Sequence, residues 1–390
     1  MKVLAIPFLL SSVLAAGQTI PGEKWYARSS GKLTMLANGL GEDRLGSAKA
    51  GYIDTGILLQ ITDSVKDNYL ATLSKQHTAW INKADLRADV NFKTKPFYLT
   101  NSVSVKGDDV YDYVNINLDE KLPYKSWMEV DPAKIFIDVY GVQSNTNWIT
   151  VLRSAKEIKN VTLTQHEDDV VRVVIELSHN QHWGYSINYK KNILSVRVRR
   201  QPVALKVNQM LIAIDAGHGG SNNGADGVTS KVLEKNYTIR FANELEKYLK
   251  RKGAKVIMTR TSDTSFNNVD RVVMLQNTMP DLMVSLHLNS SSNEKVKGVS
   301  TYYKHIGYRS FTNSILSRML QLDLSEFGNV GNFNFTLNAP TDFPGALVEI
   351  GFLSNVDDEK KILDSRFQKE VAKKIYKGIK DWLKSIRKSA

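Results

Sequence analysis

Apolar positions recur along the chain with two different periods, and the change from one period to the other divides the chain into three parts. From about residue 20 to 91, short apolar runs such as 51–53 (Gly-Tyr-Ile) and 78–81 (Thr-Ala-Trp-Ile) are broken by glycine and polar pairs. This spacing predicts short strands and turns that fold into a small β barrel. From about 95 to 200, several segments alternate residue by residue, as at 171–177, which predicts an antiparallel β domain with one solvent-exposed face.

The third part, residues 207–390, combines apolar strands with helical periodicity. Apolar residues recur at every fourth position from Tyr237 to Leu249, which predicts a helix over 236–252. Strands that alternate with helices predict an α/β domain, an open and mostly parallel sheet flanked by helices, preceded by the two all-β domains. The remaining elements predicted here are strands at 211–213, 255–258, 282–286 and 346–350, and helices at 270–278, 311–322 and 358–386.

The N-terminus has the features of a secretory signal peptide over residues 1–17. Lys2 supplies a positive charge, residues 3–14 are mostly apolar but too few to span a bilayer, and residues 15–17 (Ala-Ala-Gly) suit signal peptidase. The alternative is the first buried strand of a cytosolic domain, which does not account for the charge, the length and the small residues together. We therefore expect cleavage after Gly17, or after Ala16, and a periplasmic or secreted protein. No later apolar stretch reaches 18 residues, so no transmembrane segment is expected.

Composition narrows the chemistry that this chain can carry out. The sequence contains no cysteine, which excludes disulfides, thiolate metal ligands and cysteine nucleophiles, so a transition-metal site must use His, Asp and Glu. The formal net charge is +12, which makes acidic polymers plausible partners, although a basic surface can also serve solubility alone. Export makes nucleic acid the least expected of these partners and leaves anionic lipid or a carboxylate-rich cell wall.

Four segments of the third part carry ionisable residues in positions typical of an active site. His218, His287 and Glu349 stand at or near the carboxyl ends of predicted strands, where ligand sites of α/β sheets gather. Glu234 opens the following helix at the same edge of the sheet, so one cleft can collect two imidazoles and two carboxylates. The segments are 212–220 (Ile-Ala-Ile-Asp-Ala-Gly-His-Gly-Gly), 233–236 (Leu-Glu-Lys-Asn), 285–289 (Ser-Leu-His-Leu-Asn) and 347–355 (Leu-Val-Glu-Ile-Gly-Phe-Leu-Ser-Asn).

The combination of these residues is more informative than any one of them. A single histidine near a strand end is more often structural, and Glu349 alone could be a buried partner of a lysine or arginine. Two histidines and one glutamate, however, form one known ligand set of catalytic zinc, which leaves a coordination position open for water. A second carboxylate near that water can accept its proton. Spacing alone does not decide which glutamate has which role.

The four motifs, in this order, resemble those of the zinc-dependent N-acetylmuramoyl-L-alanine amidases, and the resemblance covers essentially the whole third part. It implies that His218, Glu234 and His287 bind Zn²⁺ and that Glu349 is the catalytic carboxylate. It further implies a peptidoglycan hydrolase that cleaves the amide between N-acetylmuramic acid and the L-alanine of the stem peptide, in cell-wall remodelling or daughter-cell separation. One departure is 221–225 (Ser-Asn-Asn-Gly-Ala), where the family usually has Asp-Pro-Gly-Ala after the glycines.

Both β parts also resemble known domains. The order of motifs in residues 20–91 is similar to a bacterial Src-homology-3-like barrel, and 134–141 (Lys-Ile-Phe-Ile-Asp-Val-Tyr-Gly) resembles the signature strand of AMIN domains. These resemblances imply contacts to the wall or to proteins through the β domains. The segment 289–343 is too short for the long blocking helix of division-associated amidases, so a differently regulated enzyme is expected.

Two other functions are consistent with parts of the pattern. One is a zinc peptidase that cuts within the stem peptide, and the other is a non-enzymatic wall-binding protein that has lost its ligands. The presence of all four site residues argues against the second. The histidines outside the four motifs are interpreted as structural; they are His77, His166, His179, His182 and His305.

Overall fold

The computed structural model of the chain describes residues 24–41 and 46–389, so the predicted signal peptide at 1–17 lies outside the described residues. Three regions follow one another: a first β region (24–88), a second β region (100–199) and an α/β region (211–389). The strands are β1 (Trp25–Ser29), β2 (Thr34–Ala37), β3 (Lys49–Ile53), β4 (Leu58–Val65), β5 (Asn68–Thr72), β6 (Thr78–Asn82), β7 (Leu86–Ala88), β8 (Thr100–Gly107), β9 (Tyr111–Leu118), β10 (Tyr124–Glu129), β11 (Lys134–Tyr140), β12 (Ile149–Val151), β13 (Ile158–Glu167), β14 (Val170–Leu177), β15 (Tyr185–Lys190), β16 (Ile193–Arg199), β17 (Leu211–Ala216), β18 (Lys255–Met258), β19 (Leu282–Asn289), β20 (Val299–Tyr302), β21 (Glu326–Val330) and β22 (Gly345–Phe352). The helices are α1 (Glu234–Arg251), α2 (Asn268–Thr278), α3 (Arg309–Met319), α4 (Val356–Leu363) and α5 (Ser365–Ser389).

The first β region is one antiparallel sheet in the order β3-β2-β6-β5-β4-β1-β7. Its core side chains alternate along the strands, with Leu59 and Ile61 of β4 both about 1% exposed. Alternation of this kind buries one face of each strand and leaves the other in water. The all-β prediction for this part is confirmed.

The second β region contains two sheets, in the orders β10-β11-β14-β13 and β12-β8-β9-β16-β15. The predicted alternation of buried and exposed positions is clear in β9, where every second residue is buried. The expectation of a wholly antiparallel region was wrong in one place, because the three-residue β12 pairs parallel with β8. Sequence analysis also missed β10. Its Lys-Ser-Trp-Met segment has no period-2 apolar pattern, and the strand buries only Tyr124 and Met128.

The α/β region is built on a six-stranded mixed sheet in the order β18-β17-β19-β22-β20-β21. The first four strands are parallel, β20 runs antiparallel to β22, and β21 is parallel to β20. Alternate residues of β17 serve opposite faces: Ile212 and Ile214 pack in the core with α1, α3 and α5, whereas Ala213 packs with α2. An α/β sheet flanked by helices is therefore present, with one antiparallel pairing among its described strands.

Element boundaries in the α/β region differ from the predicted ones at one edge of the sheet and at the C-terminal end. The short strands β20 and β21 were not predicted because both are rich in polar and small residues, which hide a strand periodicity. The single helix predicted over 358–386 is two helices, α4 and α5, separated at Asp364, whose carboxylate accepts a hydrogen bond from the Arg366 amide. No helix in the described part of the chain combines the length and apolar character needed to cross a membrane.

The second β region packs directly on the α/β region. The rings of Trp183 and Trp382, both fully buried, lie 5.2 Å apart between centroids. Tyr185 and Thr341 exchange hydrogen bonds, with the Tyr185 amide donating to the Thr341 carbonyl at 2.8 Å and the Thr341 hydroxyl donating to the Tyr185 carbonyl at 2.7 Å. These contacts join the two regions through buried side chains and backbone as well as through the linker.

Candidate metal centre

Three of the four predicted site residues meet at one edge of the α/β sheet. His218 follows β17 by two residues, His287 lies near the end of the neighbouring parallel strand β19, and Glu234 is the first residue of α1. One ligand atom from each lies within 4.8 Å of the others, and this is the only such group of three found among the described residues. The sequence expectation that strand ends and a helix start would converge here agrees with these positions.

Glu234 is the centre of this group. Its Oε2 lies 3.1 Å from Nε2 of His218 and its Oε1 lies 3.1 Å from Nδ1 of His287. The same carboxylate accepts hydrogen bonds from the backbone amides of Ala225 at 2.8 Å and Leu288 at 2.9 Å. Its position at the N-terminus of α1 also favours a negative charge. The carboxylate is therefore fixed in place with one oxygen facing each imidazole.

These contacts shift the pKa values of the group in opposite directions. Burial would raise the pKa of Glu234, but the hydrogen bonds and charges of the two histidines lower it well below its ordinary value. Burial would lower the pKa of His218, but the hydrogen bond to Glu234, its negative charge and the contact with Asn222 raise it. The carboxylate lies between two imidazoles, and nitrogen and oxygen donors of these types suit a divalent ion such as zinc.

The backbone around the three side chains leaves room only for glycine at two points. A Cβ at Gly217 would contact the His287 ring, and a Cβ at Gly224 would contact the Glu234 carboxylate, at separations that side chains do not tolerate. Three successive residues after Gly217 have positive φ, with His218 at 62°, Gly219 at 129° and Gly220 at 58°. A non-glycine residue in this conformation is strained, and such strain concentrates at functional sites.

Asn222 was not predicted as a site residue, although the unusual 221–225 segment was singled out. Its Oδ1 lies 2.9 Å from Nδ1 of His218, which leaves Nε2 of that ring facing Glu234. A hydrogen bond to one ring nitrogen fixes the orientation and tautomer of a ligand histidine. Asn222 therefore orients His218, a role that spacing alone could not reveal.

A buried network beneath the histidines was also missed. The carboxylate of Asp215, on β17, accepts hydrogen bonds from Arg271 at 2.7 Å, from Ser285 at 2.6 Å and from Thr259 at 2.6 Å. Burial would raise the pKa of Asp215, but Arg271 and these partners lower it. The only sign of this network in the sequence was an aspartate inside an apolar strand. Its partner Arg271 is 56 residues away, so no local pattern links the two.

Two arginines tie this network to the His218 turn. Arg271 donates to the carbonyls of Ala216 and His218, and Arg260 donates to the carbonyls of Ala216 at 2.9 Å and Gly217 at 3.0 Å. Carbonyls at a turn that leaves a sheet have no strand partner, so buried donors must satisfy them. The two guanidinium groups thus support the backbone that presents His218.

Glu349 lies on the wall of the same cleft. It belongs to β22, where it is the register partner of His287 on β19, and it is 7% exposed. The cleft has a volume of about 460 Å³, and its lining includes the three convergent residues, Glu349, Asn289 and the aromatic ring of Phe335. Hydrolytic zinc sites use a second carboxylate near the metal, and Glu349 lines the same cleft as the candidate ligands.

Four of the five other described histidines pair elsewhere, and the fifth, His166, is exposed in β13. His77 and His179 contact Glu167 and Glu157 at 2.9 and 2.8 Å. The buried ring of His182 lies 2.7 Å from the Glu129 carbonyl, and that of His305 lies 2.9 Å from the Ala339 carbonyl. Each of these four rings thus has an acceptor outside the candidate metal centre.

Two parts of the chain match known protein families. The N-acetylmuramoyl-L-alanine amidase family profile matches residues 212–381, and the AMIN domain profile matches residues 102–205. A "Probable cell wall amidase LytH" from Staphylococcus epidermidis is 34% identical over 175 residues, which are 45% of this chain and 58% of that protein, so the match spans little more than half of the relative.

Two further comparisons cover most of the related protein. The "Germination-specific N-acetylmuramoyl-L-alanine amidase" of Bacillus subtilis is 31% identical over 198 residues, 46% of this chain and 82% of that protein. The solved catalytic domain of the amidase CwlV from Bacillus (Paenibacillus) polymyxa var. colistinus is 33% identical, covers 45% of this chain and 98% of its own, and has a TM-score of 0.43. The family profile covers the segment that carries His218, Glu234, His287 and Glu349, and the Bacillus subtilis relative is matched at 31% identity over 82% of its length, so the chain belongs to the N-acetylmuramoyl-L-alanine amidase family.

Proposed function

We propose that this protein hydrolyses the amide bond between N-acetylmuramic acid and the L-alanine of the peptidoglycan stem peptide, with zinc held by His218, Glu234 and His287. The observation that carries the proposal is the convergence of two imidazoles and one carboxylate within 4.8 Å at the edge of an open cleft. This donor set is chemically suited to zinc, which binds nitrogen and oxygen ligands and keeps one position open in catalytic sites.

The residues present fit the ion in charge as well as in type. Glu234 contributes one negative charge, its two oxygens face the two histidines at 3.1 Å, and glycines at 217 and 224 leave space against these side chains. When bound, zinc polarises a carbonyl and lowers the pKa of an attacking water.

The chain's own residues supply the proton chemistry and the orientation of the site. Glu349 would accept the proton of the attacking water and deliver it to the departing alanine nitrogen, so that one carboxylate serves both steps. Asn222 holds the His218 ring, and the Asp215–Arg271 pair holds the turn behind it.

We further propose that the protein acts outside the cytoplasm, in the periplasm or as a secreted protein, and that its AMIN domain contacts the wall. The apolar segment at 3–14, the AMIN match and the net positive charge support this location. Sequencing of the N-terminus of protein from the native host should give a start near Gln18. An intact Met1 on cytosolic protein would contradict export.

The central test combines metal analysis with product analysis on the full chain. We expect one zinc per chain and, from muropeptides, a product with a free lactyl carboxylate together with a stem peptide that begins at L-alanine. A cut inside the stem peptide would instead establish the zinc peptidase. Binding to the wall without any cleavage, by protein loaded with zinc, would establish the non-enzymatic alternative.

A further inference from the structure

A loop between β21 and β22 forms one rim of the cleft; we call residues 331–338 the strap. Asn334, Phe335 and neighbouring strap residues line the cleft together with the candidate metal ligands. The Phe335 ring lies nearly parallel to the His287 ring, with centroids 6.2 Å apart and an interplanar angle of 25°. The strap thus places an aromatic wall beside the candidate metal centre, where it narrows the space open to substrate.

One side of the strap rests on the α/β region. The Tyr302 ring lies 4.7 Å from the Phe333 ring and 5.7 Å from the Phe335 ring, and the two phenylalanine rings are 4.6 Å apart. The side-chain amide of Asn338 donates to the Tyr302 carbonyl at 3.1 Å. Aromatic clusters with these separations contribute beyond the area they bury, so they attach this side of the strap to the α/β region.

The other side of the strap is held by the first β region, through Asn334. Its Oδ1 accepts from the backbone amide of Lys49 at 3.0 Å, and its Nδ2 donates to the carbonyls of Ser47 at 2.8 Å and Gly46 at 3.3 Å. The Lys49 ammonium donates in turn to the backbone carbonyl of Asn334 at 3.0 Å. Both polar atoms of the carboxamide are therefore bonded to a region 285 or more residues away in sequence.

A second cation strengthens the same junction. The ammonium of Lys304 donates to the carbonyl of Lys49 at 3.1 Å, so Lys49 is bonded both to the strap and to the segment just after β20. Burial lowers the pKa of Lys304, in keeping with a contact that is partly removed from water. These hydrogen bonds hold the strap on the side of the first β region, in addition to its contacts with the α/β region.

We propose that the first β region is a positioning element for the cleft, with Asn334 as the positioning residue through which it sets how tightly substrate binds. The part of this inference that concerns KM rests on the proposed amidase function. An eight-residue loop free to move would lose conformational entropy on each binding event, whereas a loop already held pays this cost on folding. Phe335 faces the cleft, and neither Asn334 nor Lys49 belongs to the proposed ligand set or supplies the proposed base.

The test is Asn334→Ala in the full chain, with two readouts. The KM for a soluble N-acetylmuramoyl-L-alanyl peptide should rise about 3- to 10-fold, because the substitution removes the three side-chain bonds of Asn334 and water replaces part of their free energy. Because the metal ligands and Glu349 are unchanged, kcat should stay within about 2-fold and zinc at one per chain. Hydrogen exchange of the backbone amides in 331–338 should become faster, with or without substrate.

Lysine variants provide the matched controls. Lys49→Ala should raise KM and strap exchange in the same direction, and Lys49→Arg should restore part of both, because it keeps a donor for the Asn334 carbonyl. Lys75→Ala removes another lysine of the first β region, one whose ammonium lies 3.1 Å from Asp168 in the second β region and does not contact the strap. This variant should leave KM and strap exchange unchanged.

Two kinds of result would overturn the inference, and a third would overturn only the proposed function. Unchanged strap exchange and unchanged KM in Asn334→Ala would show that the first β region does not hold the cleft. Loss of zinc, or a fall in kcat at constant KM, would show that Asn334 supports the metal centre rather than substrate fit. If the wild-type chain cleaves no muramyl amide, the proposed function fails separately, while the exchange measurement still decides whether Asn334 anchors the strap.

Discussion

Glu234 and Glu349 bring two carboxylates to one cleft, and replacing each should produce a different defect. Glu234 contacts both histidines at 3.1 Å and is held by two backbone amides, so Glu234→Ala removes the single anion of the proposed ligand set. Glu349→Gln keeps the shape and the hydrogen-bonding reach of the side chain, leaves His218, Glu234 and His287 intact, and abolishes only the base.

The expected magnitudes follow from these positions. Loss of a residue that merely orients a metal ligand lowers affinity about 10- to 100-fold, so loss of the ligand Glu234 itself should exceed about 100-fold. Loss of general acid–base help lowers turnover about 10²- to 10⁴-fold, which corresponds to about 3–5 kcal/mol of activation free energy. Because Glu349 would act in both proton transfers, the larger part of this range is expected for Glu349→Gln.

Both variants should be purified side by side and assayed for zinc stoichiometry and for release of stem peptide from muropeptides. Glu157→Gln is the matched control, since Glu157 is a buried glutamate that pairs with His179 in the second β region, away from the cleft. It should keep both zinc and turnover. Circular dichroism melts would establish that a loss of zinc in Glu234→Ala is not a loss of fold.

The opposite pattern would refute the reasoning. If Glu349→Gln lost its zinc while Glu234→Ala retained one ion per chain, the two roles would be reversed and the ligand set proposed for this chain would be wrong. Retention of full activity by Glu349→Gln would remove the carboxylate from the proton path altogether.

Three further predictions concern stability and modularity. Asp215→Asn should leave the buried Arg271 charge without its partner and lower the free energy of unfolding by about 3–5 kcal/mol in urea titrations. Lys75→Ala, which breaks an exposed pair, should leave the free energy of unfolding nearly unchanged. Burial lowers the pKa of His305 to about 4, so between pH 6.5 and 4 the unfolded chain is protonated at this residue while the folded chain is not. Up to about 3 kcal/mol of the free energy of unfolding should therefore be lost as pH falls from about 6.5 towards 4. His305→Gln should flatten this part of the curve of unfolding free energy against pH. A fragment of residues 207–390 should fold and bind one zinc but melt at a lower temperature than the full chain, because Trp382 loses its contact with Trp183; an insoluble fragment would show that the α/β region depends on the β regions for folding.

The convergence of His218, Glu234 and His287 could be predicted from sequence because each of them is tied to a local signal. His218 and His287 follow apolar runs that can only be buried strands, and parallel neighbours bring their carboxyl ends to the same edge of the sheet. Glu234 begins a helix with clear apolar periodicity. Position along an element was sufficient to place these side chains in one cleft, although the separate roles of the two glutamates came only from the family resemblance.

The supporting residues could not be predicted in this way, since their partners are distant in sequence. Asp215 and Arg271 are 56 residues apart, and Asn334 bonds to a segment 285 residues before it. Neither pair lies on a periodic pattern that links its members, so only the folded chain reveals them. The strands β20 and β21 were missed for a related reason, because their pairing with β22 and with each other compensates for weak strand sequences.

Metal binding and substrate binding in the cleft depend on contacts from different regions of the chain. The proposed metal ligands, Glu349 and the arginines behind the His218 turn all belong to the α/β region, so we expect metal binding and proton transfer to depend on that region. The aromatic wall at Phe335 belongs to the same region in sequence, but its anchor at Asn334 is bonded to the first β region. Perturbations that loosen the first β region should therefore weaken substrate binding while leaving zinc in place. Perturbations of the buried Asp215–Arg271 pair should instead weaken zinc binding while leaving the substrate-binding wall in place. If the first β region acts on KM in this way without contacting the proposed ligands, the chain can adjust substrate fit separately from metal binding.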